Sequence, residues 1–170
     1  CLLFAMERPL TQRIRSGEEP PWISDYEKTG GYEAVRLALK TLQPSDIQRM
    51  VTEAGLRGRG GAGFPTGKKW SFVPMGPDAP RPKYLVVNAD EMEPGAFKDR
   101  VLLEGDPHQM IESMIVAGYA IEASAGYIFL RTEYHLAAQR LRRAIHEARA
   151  NGYLGRRILG SEYGFDVFLH

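Results

Sequence analysis

Residues 84–90 read YLVVNAD, an apolar run of strand length that ends in an amide and a carboxylate. The run predicts a buried strand, and apolar runs at 127–130 and 165–169 predict two more. Apolar residues at helical spacing fill the intervals, over 106–121 and 137–148. Alternating strands and helices are typical of parallel βαβ units with right-handed crossovers. The sequence therefore predicts an α/β fold, with three layers around a parallel sheet of Rossmann-like βαβ units.

The chain ahead of the first strand is predicted to hold an extended arm and then short helices. Residues 11–32 are polar and rich in turn-forming residues, which predicts the arm. Apolar spacing over residues 35–42 predicts one short helix, while an N-cap at Ser45 and a terminating Gly55 predict another. We expect these helices to lead the chain into a glycine-rich loop.

Composition bounds the class of protein. The 170 residues are 44% hydrophobic and 25% charged, which suits one compact domain with a core. The 22 Lys and Arg residues nearly balance the 21 Asp and Glu residues, so the net charge of +1 gives no general attraction to nucleic acid or to a membrane surface. The apolar runs fall far short of the ~20 residues that a spanning helix needs, and we predict no membrane insertion.

A single cysteine, Cys1, limits the metal and redox chemistry of this chain. It rules out an internal disulfide, and also an iron–sulfur cluster or structural zinc held by cysteines of this chain alone. We predict no metal site, and a reducing compartment fits best. The opening CLLFAM is too short for a signal peptide and lacks a basic start, so we interpret it as a fragment end.

A glycine-rich loop precedes the first predicted strand: residues 55–70 read GLRGRGGAGFPTGKKW and include six glycines. Gly58, Gly60 and Gly63 satisfy GxGxxG, but the element before them is predicted to be a helix, whereas a Rossmann fingerprint follows a strand. The order of a Walker loop is not met either. Because glycine costs folding entropy, the cluster indicates unusual backbone angles or the close approach of a flat or anionic ligand.

Two interpretations of this loop stay open. Free N–H groups beside Arg57 and Arg59 favour a phosphate or a planar ring system. The alternative is a flexible surface loop. Three aromatic residues within nine positions, Phe64, Trp70 and Phe72, count against that alternative.

An acidic segment follows the first predicted strand: residues 88–100 read NADEMEPGAFKDR. Open parallel sheets bind ligands beyond the carboxyl ends of their strands, so a site is expected here. Asn88, Asp90, Glu91 and Glu93 offer amide and carboxylate partners. The alternative is an acidic turn that begins a helix, where carboxylates favour the positive end of the helix.

Together these segments resemble a known family. The loop, the acidic segment and GYIFLRTEY, with PLTQRIR and GGYEAVRLALK near the start, strongly resemble the NADH-binding flavoprotein subunit of respiratory complex I, from about Pro9 onward. The resemblance implies an N-terminal arm with short helices over 1–54 and an FMN- and NADH-binding α/β domain over 55–170. That domain is incomplete, because the family continues past His170 into a second glycine-rich motif and a cysteine-bearing domain.

The resemblance also implies a set of site residues. Cofactor-binding positions are Gly58, Arg59, Gly60, Gly61, Ala62, Gly63, Phe64, Pro65, Thr66, Gly67, Lys69, Phe72, Asn88, Asp90, Glu91 and Glu93. The positions expected to approach FMN are Gly58, Arg59, Gly60, Lys69, Asn88 and Asp90. On the NADH side the family pattern implies clearance at residues 61–63, aromatic flanks at Phe64 and Phe72, and a contact from Glu93. Lys69 and Glu93 take catalytic roles. The family carries a leucine where this chain has Lys68, and which of the two lysines faces the ligand stays open.

The implied function is that of an NADH dehydrogenase, an oxidoreductase and part of a quinone-reducing translocase. Hydride passes from NADH to FMN, and electrons leave through iron–sulfur clusters toward quinone. The resemblance also implies a 4Fe–4S cluster in the complete protein, with no cluster ligands in this chain. Expected partners are other peripheral-arm subunits of complex I, above all the small 2Fe–2S protein designated E, on the cytoplasmic side of a bacterial inner membrane or the matrix side in a mitochondrion.

Two other functions stay open. One is the diaphorase subunit of a soluble NAD-reducing hydrogenase or formate dehydrogenase, against which the N-terminal arm argues. The other is a non-catalytic assembly module that keeps the fold without the cofactor. In either respiratory or diaphorase form, we expect the isolated fragment to be inactive.

Overall fold

The computed structural model describes residues 8–170, and the segment CLLFAM with Cys1 lies outside them. Three strands form one sheet: β1 (Tyr84–Ala89), β2 (Ala125–Leu130) and β3 (Asp166–Leu169). The strands stand in the order β1-β2-β3, and both pairs are parallel. The predicted α/β fold with a parallel sheet is confirmed.

Seven α-helices occur in the described residues, with a short 3-10 helix at Ile158–Gly160. Their bounds are α1 Ile23–Lys28, α2 Glu33–Thr41, α3 Pro44–Glu53, α4 Thr66–Trp70, α5 Lys98–Gly105, α6 Pro107–Ala120 and α7 His135–Ala150. The helix before the glycine loop and the two crossover helices, α6 and α7, lie where the apolar spacing predicts them. Because α6 joins β1 to β2 and α7 joins β2 to β3, the two crossovers have the same sense and place both helices on one face of the sheet.

The prediction of an extended arm over residues 11–32 was wrong in part, because helix α1 lies within it. The Tyr26 ring on α1 is 1% exposed and its hydroxyl donates to Glu112 of α6 at 2.5 Å. Helix α1 holds the Tyr26 ring against α6, in the position from which its hydroxyl reaches the Glu112 carboxylate. A polar, turn-rich sequence therefore folds locally because one aromatic residue is buried.

The predicted N-cap at Ser45 was also wrong. Helix α3 begins at Pro44, and its N-cap is Gln43, whose backbone N–H donates to Asp46 Oδ2 at 3.0 Å. Proline suits the first helical position because its fixed φ is already helical and its missing N–H is not needed there. Gly55 follows the helix with φ +64°, as the terminator that the sequence predicts.

The core lies between the sheet and helices α6 and α7. Ile111 and Ile115 of α6 and Leu141 of α7 are fully buried against Ile128 and Val167 of the sheet. Burying such side chains stabilises the fold by roughly 1.5–3 kcal/mol each. This packing fixes the carboxyl ends of β1 and β2 side by side.

The opposite face of the sheet is open in the described residues. Tyr84 and Val86 of β1 are 55% and 67% exposed, and Phe129 of β2 is 53% exposed. Residues 8–170 therefore provide the sheet and one helical layer. The third layer of the predicted arrangement stays a prediction.

The N-terminal helices are fastened to the α/β part by a buried polar chain. Tyr32 Oη lies 2.8 Å from His108 Nδ1, and His108 Nε2 lies 3.0 Å from Glu147 Oε2. The same carboxylate accepts the backbone N–H of Ile23 at 3.1 Å. Burial lowers the pKa of His108, against the opposing effect of Glu147. The division of the chain at residues 54 and 55 stays a prediction.

Candidate functional site

The glycine loop is closed at its base by backbone pairing. Arg57 and Pro65 form an antiparallel bridge, and the N–H of Gly58 donates to the carbonyl of Phe64 at 2.9 Å. The Arg57 guanidinium also donates to the Gly63 carbonyl at 3.1 Å. Residues between these contacts form a defined turn whose backbone is largely exposed.

The fold requires some of the glycines in this loop and leaves Gly58 and Gly60 unexplained. Gly61 and Gly63 have φ of +107° and +60°, where other residues are strained. Gly67 is buried, and a Cβ there would lie 2.1 Å from Thr52 Oγ1, so this glycine lets α4 pack on α3. At Gly60 the backbone is outside the positive-φ region and no other atom lies within 4 Å of the Cβ position. Nothing in the described part of the chain demands glycine at that point.

Two aromatic residues and two lysines border the loop. The rings of Phe64 and Phe72 lie 6.3 Å apart, tilted by 47°, and are 47% and 62% exposed. Lys68 Nζ lies 5.1 Å from the Phe72 ring, within the range of a cation–π contact. Lys69 is exposed, and no ion pair involving it is formed within residues 8–170. The two lysines therefore differ, since only Lys68 is engaged by a neighbouring ring.

Glu91 is the buried member of the acidic segment. Its carboxylate accepts the backbone N–H groups of Asp99 at 3.0 Å and Arg100 at 3.3 Å, and the hydroxyl of Tyr134 at 3.0 Å. Burial acts to raise the pKa of Glu91, but these hydrogen bonds and nearby Lys98 outweigh it and hold that pKa below its usual value. The carboxylate caps the first turn of α5, as the helix-start alternative predicts.

The other polar members of the segment point outward. Asn88 is exposed and its Oδ1 accepts the backbone N–H of Asp90 at 3.0 Å. Asp90 is half-buried, 3.8 Å from Arg131 Nη1 across the sheet edge. Glu93 is exposed on the next turn, where its carbonyl accepts the N–H of Ala96 at 3.0 Å. An amide and two carboxylates are thus available beyond the end of β1.

The structure also places at this edge one arginine and one tyrosine that are not among the predicted site residues. The guanidinium of Arg131 donates to the Glu91 carbonyl at 3.4 Å, and its backbone N–H donates to the Ala89 carbonyl at 3.3 Å. Tyr134 is the N-cap of α7 and reaches Glu91. Their position after β2 in a parallel sheet was the signal, because neighbouring parallel strands end at the same edge.

The structure does not join the two predicted parts of the site by polar contacts. Within the described residues no hydrogen bond or ion pair links 55–70 to 88–100. Helix α4 packs on α3, and Trp70 at its end and Val73 just after it pack against the main core. That both parts face one ligand stays a prediction.

A cavity of about 250 Å³ lies behind the acidic segment, between β1, α5 and α6. Its lining is mainly apolar and includes Leu102 and Met110. Asn88 is the predicted site residue that reaches it. Among residues 8–170, no group of three or more His, Cys, Asp or Glu side chains is arranged to hold a metal ion, and no helix combines the length and hydropathy needed to cross a bilayer.

These features define a class: a parallel α/β domain with polar residues at the carboxyl ends of its strands and a glycine loop of open backbone, as in proteins that bind nucleotides. Comparison with known proteins identifies the family. Residues 51–167 match the family described as the Nuo51 FMN-binding domain. The chain belongs to this family, which confirms the resemblance seen in its motifs.

Named relatives agree. The chain is 49% identical over 162 residues to the F subunit of NADH-quinone oxidoreductase from Escherichia coli (strain K12), covering 95% of this chain and 36% of the relative. It is 55% identical over 148 residues to the F 2 subunit of NADH-quinone oxidoreductase from Rhizobium meliloti (strain 1021), covering 87% and 35%. The chain thus spans little more than a third of the length of these curated relatives.

A solved structure shares the fold. The crystal structure of an NAD+-reducing [NiFe]-hydrogenase in the air-oxidized state matches with a TM-score of 0.66 and 35% identity, over 89% of this chain and 25% of that chain. This match agrees with the α/β sheet described above.

Proposed function

We propose that this chain belongs to the flavoprotein subunit of an NADH–quinone oxidoreductase and that it binds FMN and NADH. The observation that carries the proposal is Gly60. The fold gives no reason for a glycine at that position, so we infer that a ligand does: bare backbone lets a flat or anionic group come close. The names of the relatives support the choice of ligand.

The residues present fit FMN. When bound, FMN supplies a ring system that accepts a hydride from NADH and releases electrons singly. The exposed backbone from Gly58 to Gly60 would approach it, beside the side chain of Arg59. Lys69 would hold a positive charge near the ring, since Lys68 is engaged by Phe72. Asn88 and Asp90 would add polar partners from the end of β1.

A second group of residues fits NADH. Positive φ at Gly61 and Gly63 shapes a turn without side chains, which gives clearance for a planar group. Phe64 and Phe72 would flank the adenine, because both rings are exposed and their planes are tilted relative to each other by 47°. Glu93 would meet the nicotinamide side. Glu91 acts through helix α5 in this scheme rather than by contact.

The complete protein would work in a multisubunit complex. We propose other peripheral-arm subunits as partners, the small 2Fe–2S protein designated E among them, on the cytoplasmic side of the membrane or, in a mitochondrion, the matrix side. The ligands of a 4Fe–4S cluster would lie in the part of the relatives that this chain does not span. The relatives are named as subunits of NADH-quinone oxidoreductases, which supports a role in a multisubunit complex.

The hydrogenase alternative rests on the matching NAD+-reducing [NiFe]-hydrogenase. At 35% identity this match is more distant than the two NADH-quinone oxidoreductase relatives, at 49% and 55%. We therefore place the respiratory function first. Hydrogen-dependent NAD+ reduction by the natural complex, without quinone reduction, would reverse that order.

The test uses the complete natural protein that contains this sequence. We expect purification with bound FMN, and anaerobic NADH should bleach the flavin absorbance. A colourless protein that takes up no added FMN would overturn the proposal and favour the assembly module.

A further inference from the structure

We propose that Glu91 and Tyr134 form a latch that positions the acidic segment for its ligands. This inference rests on the proposed function, since it assigns a task to two residues of that site. Tyr134 is a positioning residue in this scheme, and so is Glu91.

The first step is the saturation of Glu91. Its side chain is 2% exposed and receives two backbone N–H groups, from Asp99 and Arg100, and the Tyr134 hydroxyl. Lys98 Nζ lies 3.7 Å away. The carboxylate therefore has little capacity left for a ligand, and its influence on the site passes through the backbone it holds.

The second step is connectivity. Glu91 belongs to the segment after β1, its amide donors to the first turn of α5, and Tyr134 to the N-cap of α7. Arg100 adds its guanidinium over the Tyr134 ring at 5.5 Å. Arg131, just after β2, donates to the Glu91 carbonyl. Three elements at the carboxyl edge thus meet at one carboxylate.

The third step is that no large apolar side chain anchors the segment. Its large apolar side chains, Met92 and Phe97, are each 69% exposed and do not anchor it in the core. Asp90 and Glu93 stand on either side of Glu91 and have exposed surface. Fixing Glu91 therefore helps to fix the direction of both carboxylates, together with Arg131, which lies 3.8 Å from Asp90.

The experiment compares Tyr134→Phe with Tyr84→Phe in the complete natural complex. Tyr84 is 55% exposed on the open sheet face, at the amino end of β1 and away from the carboxyl ends of the strands, and provides the matched loss of a hydroxyl. For Tyr134→Phe we expect amide hydrogen exchange over 88–97 to accelerate by about tenfold and the KM for NADH to rise by a similar factor, with kcat retained. The control should change neither.

Each other outcome overturns the latch. Exchange over 88–97 equal to that of Tyr84→Phe would show that Tyr134 does not hold the segment. Faster exchange with unchanged KM and flavin content would show that the segment's order does not serve ligand binding. If Glu91→Gln weakens NADH binding while Tyr134→Phe does not, Glu91 acts by direct contact instead.

The readouts separate this inference from the proposed function. Exchange is measured without nucleotide, so it reports on the anchor whether or not FMN is bound. A protein that binds neither FMN nor NADH would overturn the proposed function and with it the purpose of the latch. The exchange difference between the two tyrosine variants would still show whether the anchor exists.

Discussion

The glycine loop and the acidic segment differ in how much of their sequence the fold explains. In the segment, Glu91 is a carboxylate of the kind that often binds a ligand. Its oxygens, however, already accept hydrogen bonds from the first turn of α5 and from Tyr134. In the loop, Gly60 has no side chain that could react or bind. Neither its backbone angle nor a neighbouring atom requires a glycine there. The comparison teaches that a site is better sought where the fold leaves a residue unexplained than where a residue is chemically reactive.

The largest expected effect is that of a substitution at Gly60, which tests this contrast directly. Changing Gly60 to Ala in the complete protein should abolish flavin retention, because the added methyl group occupies the space where the ligand approaches the backbone. Stability should change by less than about 0.5 kcal/mol, since the position is exposed and unstrained. FMN content after purification and the melting temperature measure the two effects.

Gly76 provides the matched control, because it combines open space with a φ of +92°. Changing Gly76 to Ala should cost about 1 kcal/mol of stability through backbone strain and leave FMN content normal. Normal flavin in Gly60→Ala would refute the close-approach interpretation of the loop.

A second effect sharpens the contrast within the loop itself. Changing Lys69 to Ala should weaken FMN binding about 10- to 100-fold, the range expected when a hydrogen bond to a charged group is lost. Changing Lys68 to Ala should remove the contact with Phe72 and alter FMN affinity by a factor of about three or less. Equilibrium titration of apoprotein with FMN measures both, and the reverse order would assign the flavin side to Lys68.

A third and smaller effect addresses the segment's exposed carboxylate. Changing Glu93 to Gln should raise the KM for NADH about fivefold and leave flavin content unchanged, because we place Glu93 on the NADH side. Glu53→Gln, an exposed carboxylate on α3, serves as the control. Equal loss of FMN and NADH binding in Glu93→Gln would show that the assignment of sides is wrong.

The helices and strands of this fold could largely be predicted from the sequence, but the contacts between them could not. Apolar runs and helical spacing predict β1, β2, β3, α6 and α7, because burial against a common core imposes those periods. Helix α1 escapes prediction because it depends on Tyr26 meeting Glu112, far along the chain. Local pattern also cannot separate Gly60 from Gly67, since only the structure brings Thr52 against the latter.

Lowering the pH should produce the smallest and most local effect that distinguishes the acidic segment from the glycine loop. The pKa of folded Glu91 lies below the usual 4.5, so the segment's anchor is complete above that pH and is lost as pH falls through the folded pKa. Lys98 and Tyr134, which also face this carboxylate, do not titrate in that range. We expect amide exchange over 88–100, corrected for its intrinsic pH dependence, to accelerate below about pH 4.5. The glycine loop contains no Asp or Glu and should show no such step.

Glu91→Gln makes this test specific, because glutamine keeps the size of the side chain and cannot ionise. In that variant the segment should exchange faster already at neutral pH, and the acid step should vanish while the loop stays unchanged. An acid step that survives the substitution would show that it does not arise from the buried carboxylate. Parallel acceleration in the loop would mean that the two regions open together, and the distinction between an anchored segment and an independently held turn would then fail.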